Sequence, residues 1–279
     1  MILLVDIGNS QIKWTTIQSK VLADSQYFSR PKTGIKAALN KAWKSLDDIE
    51  AVFVSNVAGD KIAAQLTEWI DKQWKLTPVF VQSEKRRFGG TNAYEQPETL
   101  GVDRWLAIVA GRQHARQVTC VIDCGTAITV DIVTEKGQHQ GGLIVPGLSL
   151  MKKMLTDNTD ALGNVTQESE FNLLATNTHT AIQAGTLYMV TATLENLIND
   201  LQQNFTDEVR FLITGGDAEE IIPLMPQPLI HEPDLVLKGL AQYARQNNQR
   251  NRNKPVKQIE SNSDETPIED STALPENAN

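Results

Sequence analysis

Ile2-Leu3-Leu4-Val5-Asp6-Ile7-Gly8-Asn9-Ser10 is the stretch that decides the fold. An apolar run that meets an acid, then a glycine and two polar residues, reads as a buried strand ending in a tight turn. A second strand over Gln11 to Gln18 follows at once, so the pair predicts a hairpin. Around residue 118 the pattern restarts: Val118-Thr119-Cys120-Val121-Ile122-Asp123-Cys124-Gly125-Thr126-Ala127 is again a buried strand ending in Asp-x-Gly, and a β-rich run continues through Thr134. Laid together without a gap, Asp6 matches Asp123, Gly8 matches Gly125, and Ser10 matches Ala127. Two such segments predict two related lobes.

Outward from these turns, Ala51 to Ser55 and Pro78 to Gln82 are further short strands, with a helix over Lys61 to Trp74 marked by Ile62, Leu66, Trp69 and Ile70. Gly141-Gly142-Leu143-Ile144-Val145-Pro146-Gly147 leads into a helix from Leu148. Ile182, Leu187, Val190, Leu194 and Leu197 imply a long helix over Thr178 to Gln203. Val209 to Thr214 is a strand that ends in Gly215-Gly216-Asp217-Ala218 before another helix, and Asp234 to Arg245 is the last folded piece. These divisions predict an N-terminal lobe over residues 1–115 and a C-terminal lobe over 116–245. From Gln246 the composition turns to Asn, Gln, Ser, Pro and Glu, so 246–279 is expected to be a disordered polar tail.

Composition excludes several classes. The chain has 279 residues, 41% hydrophobic and 22% charged, which is ordinary for a globular enzyme. No stretch approaches the roughly 18 apolar residues of a membrane span. The N-terminus lacks a basic leader and reads as a core strand, not a signal peptide. The net charge is −8 and no basic block marks a nucleic-acid footprint in the folded region. Cys120 and Cys124 alone supply neither a disulfide scaffold nor a zinc site, and a reducing cytoplasm is expected. His114, His139, His179 and His231 are scattered and read as structural or surface residues.

The chemistry gathers at the glycine turns. A strand-end aspartate such as Asp6 can hold magnesium, which takes one or two carboxylates plus phosphate oxygens. Gly8 lets backbone amides approach a phosphate, Asn9 and Ser10 add polar hydrogens, and Lys13 can reach a phosphate as a point charge. Asp123-x-Gly125-Thr126 repeats that chemistry. Gly215-Gly216 allows close approach of a flat ring or an anion. A P-loop and a Gly-x-Gly-x-x-Gly dinucleotide turn are both missing. Three turns of this kind suit a nucleotide clamped between two lobes.

Asp6-x-Gly8-Asn9-Ser10 and Asp123-x-Gly125-Thr126-Ala127 resemble the two phosphate motifs of the acetate kinase/sugar kinase/Hsp70/actin superfamily. Gly101-Val102-Asp103-Arg104 between them resembles the Gly-x-Asp-Arg signature of type III pantothenate kinases. Gly141-Gly142-x-Ile144-x-Pro146-Gly147, Asn177-Thr178 ahead of Gly185, and Pro233-Asp234-Leu235-Val236-Leu237-x-Gly239-Leu240 match that family in order, over about residues 1–245.

The resemblance implies an α/β fold of two RNase H-like, actin-like ATPase lobes, with mixed sheets flanked by helices and the nucleotide between them. It implies ATP and (R)-pantothenate as substrates, 4′-phosphopantothenate as product, and the first step of coenzyme A synthesis. Magnesium, a monovalent cation (potassium or ammonium) and a homodimer are implied as well. Carried over by position, Asp6, Ile7, Gly8, Asn9, Ser10, Gln11, Ile12 and Lys13 would hold the ATP phosphates, with Asp6 near magnesium. Thr126 would contact ATP and Asp123 would ligate the monovalent cation; from the chemistry of their own turn, Gly215 and Gly216 are expected to border the ATP. Tyr94, Gly101, Val102, Asp103, Arg104 and Thr178 would shape the pantothenate pocket, Thr178 from the partner subunit. Asp103 would be the base, and Arg104 would neutralise the substrate or pair with Asp103. Two other readings are another small-molecule kinase of the superfamily and a non-catalytic nucleotide-binding accessory factor for transcription.

Overall fold

The computed structural model describes residues 1–114, 116–157 and 172–252. In the first half, β1 (Ile2–Ile7), β2 (Gln11–Gln18), β3 (Val21–Leu22) and β4 (Gln26–Ser29) precede α1 (Lys36–Trp43). Then come β5 (Ala51–Asn56), α2 (Asp60–Trp74), β6 (Val79–Phe80), the short pair β7 (Arg86–Arg87) and β8 (Gly90–Thr91), and α3 (Val102–His114). The second half holds β9 (Thr119–Cys124), β10 (Ala127–Val133), β11 (His139–Pro146), α4 (Leu148–Asp157) and α5 (Thr178–Asn204). It closes with β12 (Arg210–Thr214), α6 (Ala218–Ile221), β13 (Ile230–His231) and α7 (Leu235–Arg252).

The duplication extends to whole sheets. The first runs β3-β2-β1-β5-β6 with β4 also on β2; the second runs β11-β10-β9-β12-β13. In each, the central strand is antiparallel to its hairpin partner and parallel to the strand on its other side. The turns are not identical, however. Ile7 pairs with Ile12 across the first, while Cys124 pairs with Ile128 across the second, which is one residue shorter. The ungapped alignment of Ser10 with Ala127 is corrected accordingly.

Strand periodicity explains where the acids point. In β1, Leu3, Val5 and Ile7 join a core with α1 and α2, while Ile2 and Leu4 join the core around α7. Side chains alternate between faces, so Asp6 falls on the inner face. In β9, Cys120, Ile122 and Cys124 pack toward α5, and Val121 toward α3 and α7, so Asp123 also faces inward. Both sheets therefore aim their strand-end aspartate between the lobes.

The helices that fill this space lie between the sheets. α3, which closes the first half, contacts β9 and β10 of the second sheet as well as β5 of the first; α7, which closes the second half, contacts β1, β2 and β5 of the first. The boundary expected at 115/116 thus falls between α3 and the sheet it covers. Trp105 Nε1 donates to the Tyr243 hydroxyl at 3.0 Å and ties the two helices together. On the outer side of the first sheet, Trp43 is fully buried among Trp14, Trp69 and Trp74. An aromatic buried this way contributes on the order of 2 kcal/mol or more.

α7 continues to Arg252, seven residues past the expected end at Arg245, and Gln246 accepts a hydrogen bond from Arg87. The remainder of the expected tail, 253–279, lies outside the described residues. Cys120 and Cys124 are free and buried, and burial pushes both thiols up. Among the described residues no helix is long and apolar enough to cross a membrane.

Candidate active site

The inward-facing ends of both sheets open on one cleft of about 540 Å³. Asp6, Gly8, Asn9, Ser10, Gln11 and Lys13 line one wall, Asp123 and Thr126 the other, with Gly215, Gly216 and Asp103 completing the set. The two phosphate turns touch: Ser10 Oγ lies 2.8 Å from Thr126 Oγ1. Ile7 and Ile12 bury their side chains in the first core, so only their backbone atoms can serve a ligand.

Five aspartates (Asp6, Asp103, Asp123, Asp217, Asp234) and two lysines (Lys13, Lys153) line the cleft. The acid excess shows in their titration. Burial pushes Asp6 up to about 7, helped by Asp103 and Asp123; Ser55 and Lys13 offset part of the shift, although the Ser55 hydroxyl completes no hydrogen bond. Burial likewise pushes Asp123 up to about 6, with Asp103 adding repulsion. Asp103 is raised by burial, against the pull of the Arg104 backbone N–H.

Asp6 Oδ1 is buried with no hydrogen-bond partner. An orphaned carboxylate oxygen beside two further acids fits a cation. Among the described residues no group of three or more His, Cys, Asp or Glu side chains is arranged to hold a metal ion.

Lys13 leaves the turn as expected but is held by Asp234, 2.9 Å away at the start of α7. Gly215 has φ +95°, and a Cβ there would lie 2.3 Å from Cys124 O and 2.6 Å from Asp123 Oδ1. Its glycine is therefore required to seat β12 against the Asp123–Gly125 turn. Gly216 has open space at the Cβ position and is the one of the pair that leaves room for a ring.

The Gly101–Arg104 motif divides its labour. Val102 is a core residue. Asp103, in the first turn of α3, accepts the Arg104 N–H on Oδ1 at 2.8 Å and faces the cleft. The Arg104 side chain is 5% exposed and pairs with Asp131 at 2.7 Å. Tyr94 takes Arg104 Nη1 on its hydroxyl at 3.0 Å. Thr178 stands exposed at the start of α5 behind the N-cap Asn177, and does not line the cleft of its own chain.

Sequence reasoning assigns no site role to Asp131 or Ser55, reads His139 as structural or surface, and has Asp234 only within a family-matching motif. A signal existed for Asp131, an acid in the middle of the apolar strand Ala127–Val133. Buried charges are kept only when paired.

The site is a cleft between two sheets of matching topology, with an aspartate–glycine turn from each and the Asp103 carboxylate among its lining residues. Two solved structures share the fold. A Campylobacter jejuni protein described as a Baf family transcriptional activator is 23% identical with a TM-score of 0.55, over 88% of this chain and 99% of its own. The activator of 2-hydroxyisocaproyl-CoA dehydratase from Clostridium difficile, with bound ADPNP, is 13% identical with a TM-score of 0.52, over 90% and 96%.

The family model for type III pantothenate kinase matches residues 2–200. A type III pantothenate kinase from Nitrosococcus oceani is 46% identical over 88% of this chain and 94% of its own length. The chain belongs to the type III pantothenate kinase family.

Proposed function

We propose that Asp103 is the base of an ATP-dependent pantothenate kinase reaction carried out in this cleft. Family membership makes the chain a pantothenate kinase with ATP and pantothenate as substrates. The observation that carries the site reading is the convergence of Asp103 with the Asp6 and Asp123 turns on one cleft.

Phosphoryl transfer needs little covalent chemistry from the protein; it needs alignment and charge neutralisation. The amides and hydroxyls of Gly8 to Ser10, with Thr126 opposite, would cradle the phosphates, and Lys13 would supply a positive charge that Asp234 orients. Asp6 would hold magnesium, which when bound neutralises phosphate charge. Asp123 would hold the monovalent cation.

Asp103 Oδ1 is engaged by a backbone N–H. Oδ2 is then the oxygen that takes the proton of the attacking 4′-hydroxyl as the γ-phosphoryl group moves from ADP oxygen to substrate oxygen. A carboxylate raised by burial is a stronger base than an exposed one, which favours this role.

The homodimer reading draws support from apolar side chains left in solvent. Ile144 on the edge strand β11 is 61% exposed, and Tyr188 and Met189 on α5 are 55% and 53% exposed. An apolar edge strand and an apolar helix face suit a self-complementary interface. That interface would carry α5, and Thr178 with it, to a neighbouring cleft. Residence in the cytoplasm, with neither nucleic acid nor membrane as partner, completes the proposal.

A coupled ADP-release assay with Mg-ATP and pantothenate, with and without potassium or ammonium, tests it. Pantothenate-dependent turnover that rises with the monovalent cation is the expected result. Folded protein that releases no ADP under either condition would overturn the reading.

A further inference from the structure

Behind the catalytic motif lies a closed ring of four side chains. Asp131, on the inner face of β10, clasps Arg104 with two bonds: Nε to Oδ2 at 2.8 Å and Nη2 to Oδ1 at 2.7 Å. Oδ1 also lies 2.8 Å from Nε2 of His139, which is fully buried at the start of β11. The other ring nitrogen, Nδ1, accepts the Ala93 backbone N–H at 3.4 Å. A nitrogen that accepts carries no proton. The ring is therefore the neutral tautomer with its hydrogen on Nε2, donated to Asp131.

Tyr94 closes the ring. Its hydroxyl takes Arg104 Nη1, and its phenol stacks on the His139 imidazole with centroids 6.2 Å apart and planes at 17°. The packing leaves no slack: a Cβ on Gly142 would sit 2.6 Å from Asp131 Oδ1 and 2.7 Å from Arg104 Nη2.

Asp131 cancels the charge of Arg104, so the guanidinium offers directed N–H donors in place of a net positive charge. Three of its five N–H groups (Nε, one on Nη1, one on Nη2) are committed in this ring, which leaves two. The clasp fixes where those two point, and His139 couples that direction to the loop bearing Tyr94.

We propose that Asp131 and His139 are positioning residues: they hold Arg104 and Tyr94 in a single arrangement that receives pantothenate, and neither touches substrate. This rests on the reading of Arg104 and Tyr94 as substrate contacts. The interaction would act alike on the ground and transition states, so its loss raises the pantothenate KM and leaves kcat in place.

The test uses neutral replacements, which strand no buried charge. His139→Leu removes both ring bonds; His139→Gln retains a donor toward Asp131. In steady-state assays His139→Leu should raise the pantothenate KM about tenfold, with kcat within about threefold and the ATP KM within about twofold of the parent. His139→Gln should restore the pantothenate KM to within about threefold. If His139→Leu does not fold by circular dichroism, His139→Asn replaces it, with a rise of about three- to tenfold expected from its shorter reach.

A folded variant with an unchanged pantothenate KM, or one in which both substrates shift together, would overturn the proposal. A second readout needs no turnover. The buried Arg104 Nε–H should give a slowly exchanging 1H–15N resonance in the full chain, lost in His139→Leu and kept in His139→Gln. Persistence of that resonance in His139→Leu would also overturn the proposal. Parent enzyme that fails to phosphorylate pantothenate would defeat the substrate reading instead, and the resonance would then decide the clasp alone.

Discussion

Ser10 and Thr126, separated by 116 residues, place their hydroxyl oxygens 2.8 Å apart. Each stands in the glycine turn of its own sheet, so this contact joins the two copies of the repeat at the point where phosphates would lie. A nucleotide bound here meets both lobes at once.

Asp103→Asn keeps the shape of the carboxylate and removes its basicity. Turnover should fall by about 10²- to 10⁴-fold with the ATP KM near that of the parent. Stopped-time ADP assays measure it, and a variant that keeps most of its activity would remove Asp103 from the role of base.

The buried acids make a pH prediction for ligand-free protein. Folding moves Asp6 from 3.8 to about 7 and Asp123 from 3.8 to about 6, so the folded state binds protons more tightly than the unfolded state. Their contribution to stability is greatest below about pH 4 and is lost as pH rises toward 7. Melting temperature should therefore decline between about pH 4 and 7, less steeply in Asp6→Asn, and Mg-ATP should flatten the slope. A parent and an Asp6→Asn variant with the same slope would count against the raised carboxyl.

Asp123→Ala removes the carboxylate proposed for the monovalent cation. Rate measured against potassium concentration should lose most of its activation. Activation that survives at full amplitude would place the cation elsewhere.

Asp234→Asn releases Lys13 from its 2.9 Å ion pair. The pair is only part-buried, so the effect on folding should be small, about 1 kcal/mol or less. The ATP KM should rise about three- to tenfold while the pantothenate KM stays put, as expected when a phosphate-binding lysine loses its orientation. Isothermal titration with a non-hydrolysable ATP analogue checks it independently.

Ile144→Glu puts a charge on the exposed apolar edge of β11. Light scattering should show the proposed dimer dissociating, and pantothenate turnover should fall with it, since Thr178 is proposed to serve the partner's cleft. A dimer that survives this change would move the interface off β11.

Some of the site was written locally. Asp6, Gly8, Asp123 and Thr126 follow from apolar runs that close on Asp-x-Gly, because a two-residue side-chain period and a glycine turn are properties of a few adjacent residues. The long helix expected over Thr178 to Gln203 appears as Thr178–Asn204 for the same reason. The strand expected over Pro78 to Gln82 shrinks to Val79–Phe80, as it lies at the edge of its sheet with a partner on one side only. Sequence sets Arg104 beside Asp103, yet its side chain bonds Asp131, which arrives from a strand packed against α3.

The sequence by itself determined the repeated strand-turn units, their inward-facing acids and the family to which their ordered motifs point. Tertiary structure decided the placement of α3 and α7 between the sheets, the shorter second turn, the continuation of α7 to Arg252, and the Arg104–Asp131–His139 clasp. Local periodicity carries the first set. The second depends on which distant surfaces meet when the two lobes close on each other, because a buried charge takes whichever partner the packing brings within reach.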